Sequence, residues 1–390
     1  MFNKVIIGIL IFLLLLSGAL GAYAFRLTEE ISALGEQLTV SQQQQAAEIG
    51  ALHQDLTTFS QETLASTRET QARIDNLDNQ LKGITTELGQ SVINVGKLYQ
   101  EVSPSIVRIS DGKEIIGTGF VFDSEGHILT PQHVVEGQDQ MDVILSDGRT
   151  SPVTVVGSCQ YSDIAVLALE QKLPVPALTL ADSSAVQVGE PVMVIGNPFD
   201  LPGTVTSGIV SQTGRFVEVE YDSKTRWVAN LIQFDAPVNF GNSGSPLANS
   251  KGEVIGMVEA RVDPRLGEGA YYAISSNKVS RVAPSLIERG SFDYPRLGIE
   301  ITDLTTKTVR DLGLETTNGA LVKAVLTGTP AESAGIKVND IIVAVNGISV
   351  REVADLTCYL GEHSSPGDKV TLALIRDGAK IELTLEVGKQ

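Results

Sequence analysis

Cysteine and histidine are nearly missing from this chain, with two and four residues respectively among 390. Cys159 and Cys358 lie far apart and in different expected domains. That excludes a disulfide framework of the kind that staples small secreted folds, and both read as buried small apolar side chains. His53, His127, His133 and His363 share no metal-ligand spacing, so no metal site is expected. Basic residues are outnumbered 29 to 47, giving a net charge of −18. Nucleic acid demands a basic surface, and that partner is excluded. Charge is absent altogether from Val5 to Phe25, and proline is absent from Leu27 to Gln100.

The uncharged stretch fixes the compartment. About 20 aliphatic residues suffice to cross a bilayer as a helix, and a weak basic bias, with Lys4 in front and Arg26, Glu29 and Glu30 behind, orients the N-terminus to the cytoplasm. Residues 1–26 are therefore expected to be a signal-anchor, with everything beyond them extracytoplasmic. Ala22-Tyr23-Ala24 also fits a small-x-small cleavage site, so secretion after cleavage is the alternative. Across residues 27–100 apolar positions recur in steps of three and four, most cleanly at Ile74, Leu77, Leu81, Ile84 and Leu88. This period predicts a coiled-coil stalk, interrupted around Gln42–Gln45 and Thr63–Thr70. Fully helical, about 70 residues reach roughly 100 Å.

From Glu101 the pattern changes to short β-rich runs split by Gly, Asp and Asn: Ser105–Ile109, Gly119–Phe122, Met141–Leu145, Ala165–Leu169, Pro191–Ile195 and Val254–Val258. Such spacing predicts an all-β barrel or sandwich domain over 101–290, closed by a helix at Asn277–Glu288. Residues 293–390 read as a smaller α+β unit, with strands at Gly319–Val325, Ile341–Val345, Val370–Ile375 and Ile381–Val387 and helices at Ala331–Ala334 and Val353–Leu360.

Within the β region, Asn239-Phe240-Gly241-Asn242-Ser243-Gly244-Ser245 sets a serine between glycines. A loop of this composition turns tightly, exposes a hydroxyl and gathers backbone N–H groups. Upstream lie His133 in Thr130-Pro131-Gln132-His133-Val134-Val135 and Asp163 in Ser162-Asp163-Ile164. Taken singly, each residue is better explained as a core histidine, a turn aspartate or a turn serine. Together they follow the His, Asp, Ser order of chymotrypsin-type proteases. Acyl transfer needs a nucleophile (Ser243), a base (His133), a group that orients the base (Asp163) and oxyanion donors, here the backbone N–H groups of Gly241 and Ser243.

Residues 103–390 resemble the HtrA/Deg family of trypsin-like serine proteases bearing a PDZ domain. The resemblance rests on Pro104-Ser105-Ile106-Val107, Gly117-Thr118-Gly119-Phe120-Val121, Asp163-Ile164-Ala165-Val166-Leu167, Gly196-Asn197-Pro198, Thr206-Ser207-Gly208-Ile209-Val210-Ser211, Gln233-Phe234-Asp235-Ala236 and the Ser243 loop. It implies a double-barrel chymotrypsin-like domain, ATP-independent endopeptidase activity on misfolded or regulatory exported proteins, homotrimers and no cofactor. It further implies that Arg215 sits in a regulatory loop, and that Arg296-Leu297-Gly298-Ile299 receives peptide C-termini beside the Val353–Leu360 helix. One PDZ domain with an anchor resembles the stress-sensing branch. Phe240, Ser245 and Pro131 depart from the family's usual Pro, Gly and Asn, and they motivate an alternative expectation, a catalytically idle or chaperone-like PDZ scaffold.

Overall fold

The computed structural model describes residues 2–91, 94–171, 174–197, 201–221, 224–261 and 269–390. Two compact units divide at Thr86/Glu87. The first is built on one helix, α1 (Phe2–Ser91), which runs unbroken through the polar stretches around Gln42–Gln45 and Thr63–Thr70. No proline interrupts its hydrogen-bond ladder, and pairs four residues apart, Glu69–Arg73 at 2.8 Å and Asp78–Lys82 at 2.7 Å, add modest support. Its N-terminal portion is long and apolar enough to cross a membrane. The apolar seam from Leu27 to Ile84 faces solvent in the single chain.

The second unit starts earlier than the stalk boundary expected near residue 100; Val92 and Ile93, within the expected stalk, lie outside the described residues. Helix α2 (Val95–Val102) is capped by the Asn94 side chain, which accepts from the Lys97 N–H at 3.1 Å. Leu98 and Val102 are buried in the main core, so apolar burial ties this helix to the globular unit.

Twelve strands follow: β1 (Ile106–Ser110), β2 (Ile115–Val121), β3 (Ile128–Thr130), β4 (Met141–Leu145), β5 (Thr150–Cys159), β6 (Ile164–Leu169), β7 (Pro191–Gly196), β8 (Thr204–Tyr221), β9 (Lys224–Phe234), β10 (Pro246–Ala248), β11 (Val254–Arg261) and β12 (Tyr271–Ser275). They close two antiparallel barrels, β1-β2-β3-β6-β5-β4 and β10-β11-β12-β9-β8-β7. Each barrel has its own apolar filling, around Ile109, Val143 and Leu167 in the first and Val194, Ile232 and Phe234 in the second. A third cluster joins them through Phe120, Leu129, Ile164, Ile195, Leu231 and Met257. Short helix α3 (Gln132–Val135) interrupts the first barrel after β3, and α4 (Ser276–Arg289) closes the domain, burying Val279, Val282, Ala283 and Leu286.

In the last hundred residues β13 (Pro295–Arg296) pairs with the final strand, and β14 (Ile299–Asp303) opens a second sheet. After α5 (Thr306–Asp311) come β15 (Ala320–Val325), α6 (Pro330–Ser333), β16 (Ile341–Val345), β17 (Ile348–Ser349), α7 (Val353–His363), β18 (Lys369–Arg376), β19 (Ala379–Glu386) and β20 (Gly388–Lys389). The sheet order is β14-β15-β16-β18-β19, with β17 paired to β16. This module docks on the β8–β9 hairpin: the Asn230 amide side chain donates to the Cys358 carbonyl at 2.8 Å, and Phe216 packs against the module's core.

Candidate active site

The first barrel supplies a His–Asp pair. Pro131 is extended (φ −62°, ψ 148°) and starts α3, which carries His133 directly after the buried strand β3. Asp163 ends the β5–β6 turn with φ +52°, a strained conformation for a residue with a Cβ. That turn sends both carboxylate oxygens to one histidine. Asp163 Oδ2 lies 2.6 Å from His133 Nδ1, and Oδ1 accepts the His133 backbone N–H at 2.8 Å. The ring and the carboxylate are both buried. Burial alone would raise the Asp163 pKa; the charge and hydrogen bonds of His133 outweigh it and hold the carboxyl below its ordinary range. Arg226 on β9 reinforces the pair, donating to Gln132 Oε1 at 2.5 Å, approaching Asp163 Oδ1 at 3.4 Å and bonding Glu136. His127 pairs with Asp123 four residues away.

The second barrel supplies the serine loop between β9 and β10. Gly241 has φ +95°, and its carbonyl accepts the Thr118 hydroxyl at 2.7 Å. The Thr118 N–H donates to the Ser243 carbonyl at 2.9 Å, and Asn197 Nδ2 donates to the Thr118 hydroxyl at 3.2 Å. Thr118 therefore clamps the loop from the first barrel. Removing its hydroxyl with Thr118→Val leaves a buried carbonyl and amide without their partner, which costs about 1–3 kcal/mol. Casein hydrolysis by this variant should fall about tenfold, with folding intact by circular dichroism. Gly244 (φ +91°) is pressed against the same residue: a Cβ there would lie 1.8 Å from the Thr118 carbonyl oxygen.

Among the described residues, the N–H groups of Gly241 and Ser243 carry no hydrogen bond. The Ser243 hydroxyl donates to the Glu259 backbone carbonyl at 3.1 Å. A hydroxyl has one proton, so in this conformer it is not given to the imidazole. The family departures fall outside the Ser243, His133 and Asp163 side chains. Phe240 is 60% exposed, and the Ser245 side chain is buried, with its hydroxyl 2.1 Å from where a Cβ on Gly196 would sit. Pro198, from the Gly196-Asn197-Pro198 motif, lies outside the described residues.

A second site lies on the C-terminal module. Leu297 is buried, and Gly298 takes φ +84° with Thr329 so close that a Cβ would meet it at 2.2 Å. Only glycine fits this turn. The Leu297 and Gly298 N–H groups carry no hydrogen bond among the described residues. Beside them a groove of about 830 Å³ runs between β14 and α7, lined by Ile299, Val353, Leu356 and Leu360. Phe216 and Trp227 of the β8–β9 hairpin form its other wall, with rings 4.9 Å apart. Arg215 also lines it. It was expected in a loop; it lies instead on β8, where the register shifts on either side, and its Nε donates to Gln233 at 3.0 Å. Arg296 is half-buried at the groove's edge.

Thr118, Arg226 and Glu259 contact these groups without having been singled out from sequence. Cys358 is unsuited to nucleophilic work: burial pushes its thiol up to about 11.

Comparison with known proteins agrees with this architecture. Residues 117–257 match the trypsin-like peptidase domain family, and residues 295–387 match the PDZ domain family. Serine protease Do-like HtrB of Bacillus subtilis is 34% identical over 345 residues, covering 81% of this chain and 75% of its own. Periplasmic serine endoprotease DegP of Escherichia coli is 37% identical over 274 residues, 70% of this chain, which spans only 56% of DegP. Among solved structures, the HtrA-type protease AlgW with a tripeptide is 32% identical, with a TM-score of 0.63 over 76% of this chain and 97% of AlgW. The chain belongs to the HtrA/DegP family of serine endopeptidases, with a trypsin-like peptidase domain followed by a PDZ domain.

Proposed function

We propose that this endopeptidase works through Ser243, His133 and Asp163 on misfolded or regulatory proteins outside the cytoplasm, and that its PDZ groove binds peptide C-termini. The observation that carries this reading is the Asp163 carboxylate, which binds His133 through both oxygens beside the clamped Ser243 loop. Ser243 attacks the scissile carbonyl and His133 Nε2 takes its proton. Asp163 fixes the tautomer with the proton on Nδ1 and stabilises the imidazolium. The oxyanion that forms is received by the Gly241 and Ser243 N–H groups, with each donor contributing about 3 kcal/mol. His133 then returns the proton to the leaving amine. No cofactor enters this sequence.

In the PDZ groove, the Leu297 and Gly298 amides receive a terminal carboxylate and Leu356 and Leu360 a hydrophobic last side chain, while the peptide adds as a strand to β14. Solved structures of AlgW with a decapeptide and with a tripeptide support peptide binding in this family. Arg215 is assigned the sensing role at the junction of groove and barrel. The N-terminal helix is read as a single-pass anchor and the seam beyond it as a coiled-coil contact in a homotrimer.

A Ser243 hydroxyl given to a carbonyl describes a resting enzyme, so a groove ligand is expected to favour the competent conformer. Casein hydrolysis by the full chain should rise severalfold on adding a peptide with a hydrophobic C-terminal residue. An amidated version of the same peptide should have no effect. Equal rates with and without the free-acid peptide would refute the coupling.

A further inference from the structure

Glu259 lies inside the reaction centre, and no role for it follows from the three residues already discussed. It sits on β11 with 1% of its surface exposed. Its Oε1 is 3.8 Å from His133 Nδ1, and polar atoms of His133, Asp163 and Glu259 all lie within 4.8 Å of one another. Its Oε2 is buried without a hydrogen-bond partner among the described residues. Its backbone carbonyl is the group that holds the Ser243 hydroxyl. One residue thus touches the nucleophile through its main chain and the His–Asp pair through its side chain.

We infer that Glu259 is a positioning residue of the protease, a neutral carboxylic acid that donates its proton to Asp163 and so helps keep that carboxylate on His133. The inference rests on the assignment of His133, Asp163 and Ser243 made above. Two buried carboxyl groups within 4.8 Å of each other do not both ionise; one proton between them makes one a donor and the other an acceptor. Asp163 holds the charge because it receives the His133 ring and backbone donors and faces Arg226. Glu259 lacks comparable donors and retains the proton. The titratable and charged groups around it are Asp163, His133, Lys278 from α4 and Arg226 from β9. Burial first, then the Asp163 charge, raises the Glu259 pKa well above the ordinary value, and the two cations oppose this without reversing it. Burial also lowers the Lys278 pKa, to about 8, which weakens its counter-effect in the alkaline range.

The sign of the linkage makes the inference testable apart from activity. A carboxyl whose pKa is raised on folding contributes stability below its unfolded value, near 4.3, that is progressively lost as pH rises toward the folded value. Glu259→Gln keeps the size and a donor but cannot ionise. Glu259→Met keeps the length and removes the donor. With the full chain in detergent, the melting temperature of Glu259→Gln minus that of wild type should grow steadily from pH 5 to pH 8. At pH 7, Glu259→Gln should keep kcat within threefold of wild type, whereas Glu259→Met should lose about tenfold in kcat with KM unchanged. Parallel melting curves across that range, or Glu259→Gln as impaired as Glu259→Met, would overturn the inference. Covalent labelling of Ser243 by a fluorophosphonate separates the two readings. A wild type left unlabelled even with the free-acid peptide present defeats the catalytic assignment, whereas the melting-temperature comparison reports the Glu259 proton whether or not Ser243 reacts.

Discussion

Ser243→Ala is expected to lower casein hydrolysis by the full chain roughly 10⁵-fold or more, to the level left by binding and oxyanion donors alone. The substitution removes one oxygen from a partly exposed position whose surroundings are fixed by other contacts. Thr118 holds the Gly241 and Ser243 carbonyls, Gly244 N–H bonds the Val258 carbonyl at 2.8 Å and Ser245 N–H the Asn242 carbonyl at 2.9 Å. Among the described residues the hydroxyl itself makes a single hydrogen bond, to the Glu259 carbonyl. Its loss costs about 1 kcal/mol of stability at most, so the folded fraction is unchanged and the rate loss is chemical. Far-ultraviolet circular dichroism and the melting temperature check the first statement, and initial rates check the second.

Asp163→Asn should cost about 10⁴-fold in kcat for a different reason, the tautomer of His133. The aspartate accepts on both oxygens, from the ring Nδ1–H at Oδ2 and from the His133 backbone N–H at Oδ1, with Arg226 also on Oδ1. An asparagine has one oxygen. Two donors face the Oδ1 position, so the oxygen stays there and the NH₂ group meets Nδ1. The imidazole must then accept at Nδ1 and carry its proton on Nε2, where it can no longer take one from Ser243. The loss should shrink at high pH for cleavage of an activated ester, which needs less help from the base, while peptide hydrolysis stays low. Equal losses for both substrates at every pH would point to misfolding of the α3 turn instead.

The residues proposed for the chemistry were more legible in the sequence than the supports around them. Ser243, His133 and Asp163 each sit beside an apolar strand in a local motif, so chain order exposed them. The strand runs at Met141–Leu145 and Ile341–Val345 match the observed strands to the residue, because alternation and flanking turns are local signals. Glu259 follows the apolar run Val254–Val258 and looks like the polar end of a strand; only the tertiary fold, which brings it beside His133 and Asp163, buries it. An acidic residue continuing a buried strand was the available signal. Arg226 and Thr118 acquire their partners across about a hundred residues of sequence, which no periodicity records. Helix α2 read as the end of the stalk, since its two buried residues, Leu98 and Val102, fit a helical seam equally well. The β8–β9 hairpin was only partly foreseen. Its mixed polar and aromatic sequence lacks clean alternation, and Phe216 and Trp227 take their meaning from the PDZ groove they face.

The most direct test of the whole account is the site of covalent modification when the intact protein, with a free-acid hydrophobic peptide present, is treated with a fluorophosphonate and mapped by mass spectrometry. The account predicts one adduct, on Ser243, lost in Asp163→Asn. An adduct on another serine, or casein hydrolysis that continues with Ser243 unmodified and a saturating reagent, would contradict it.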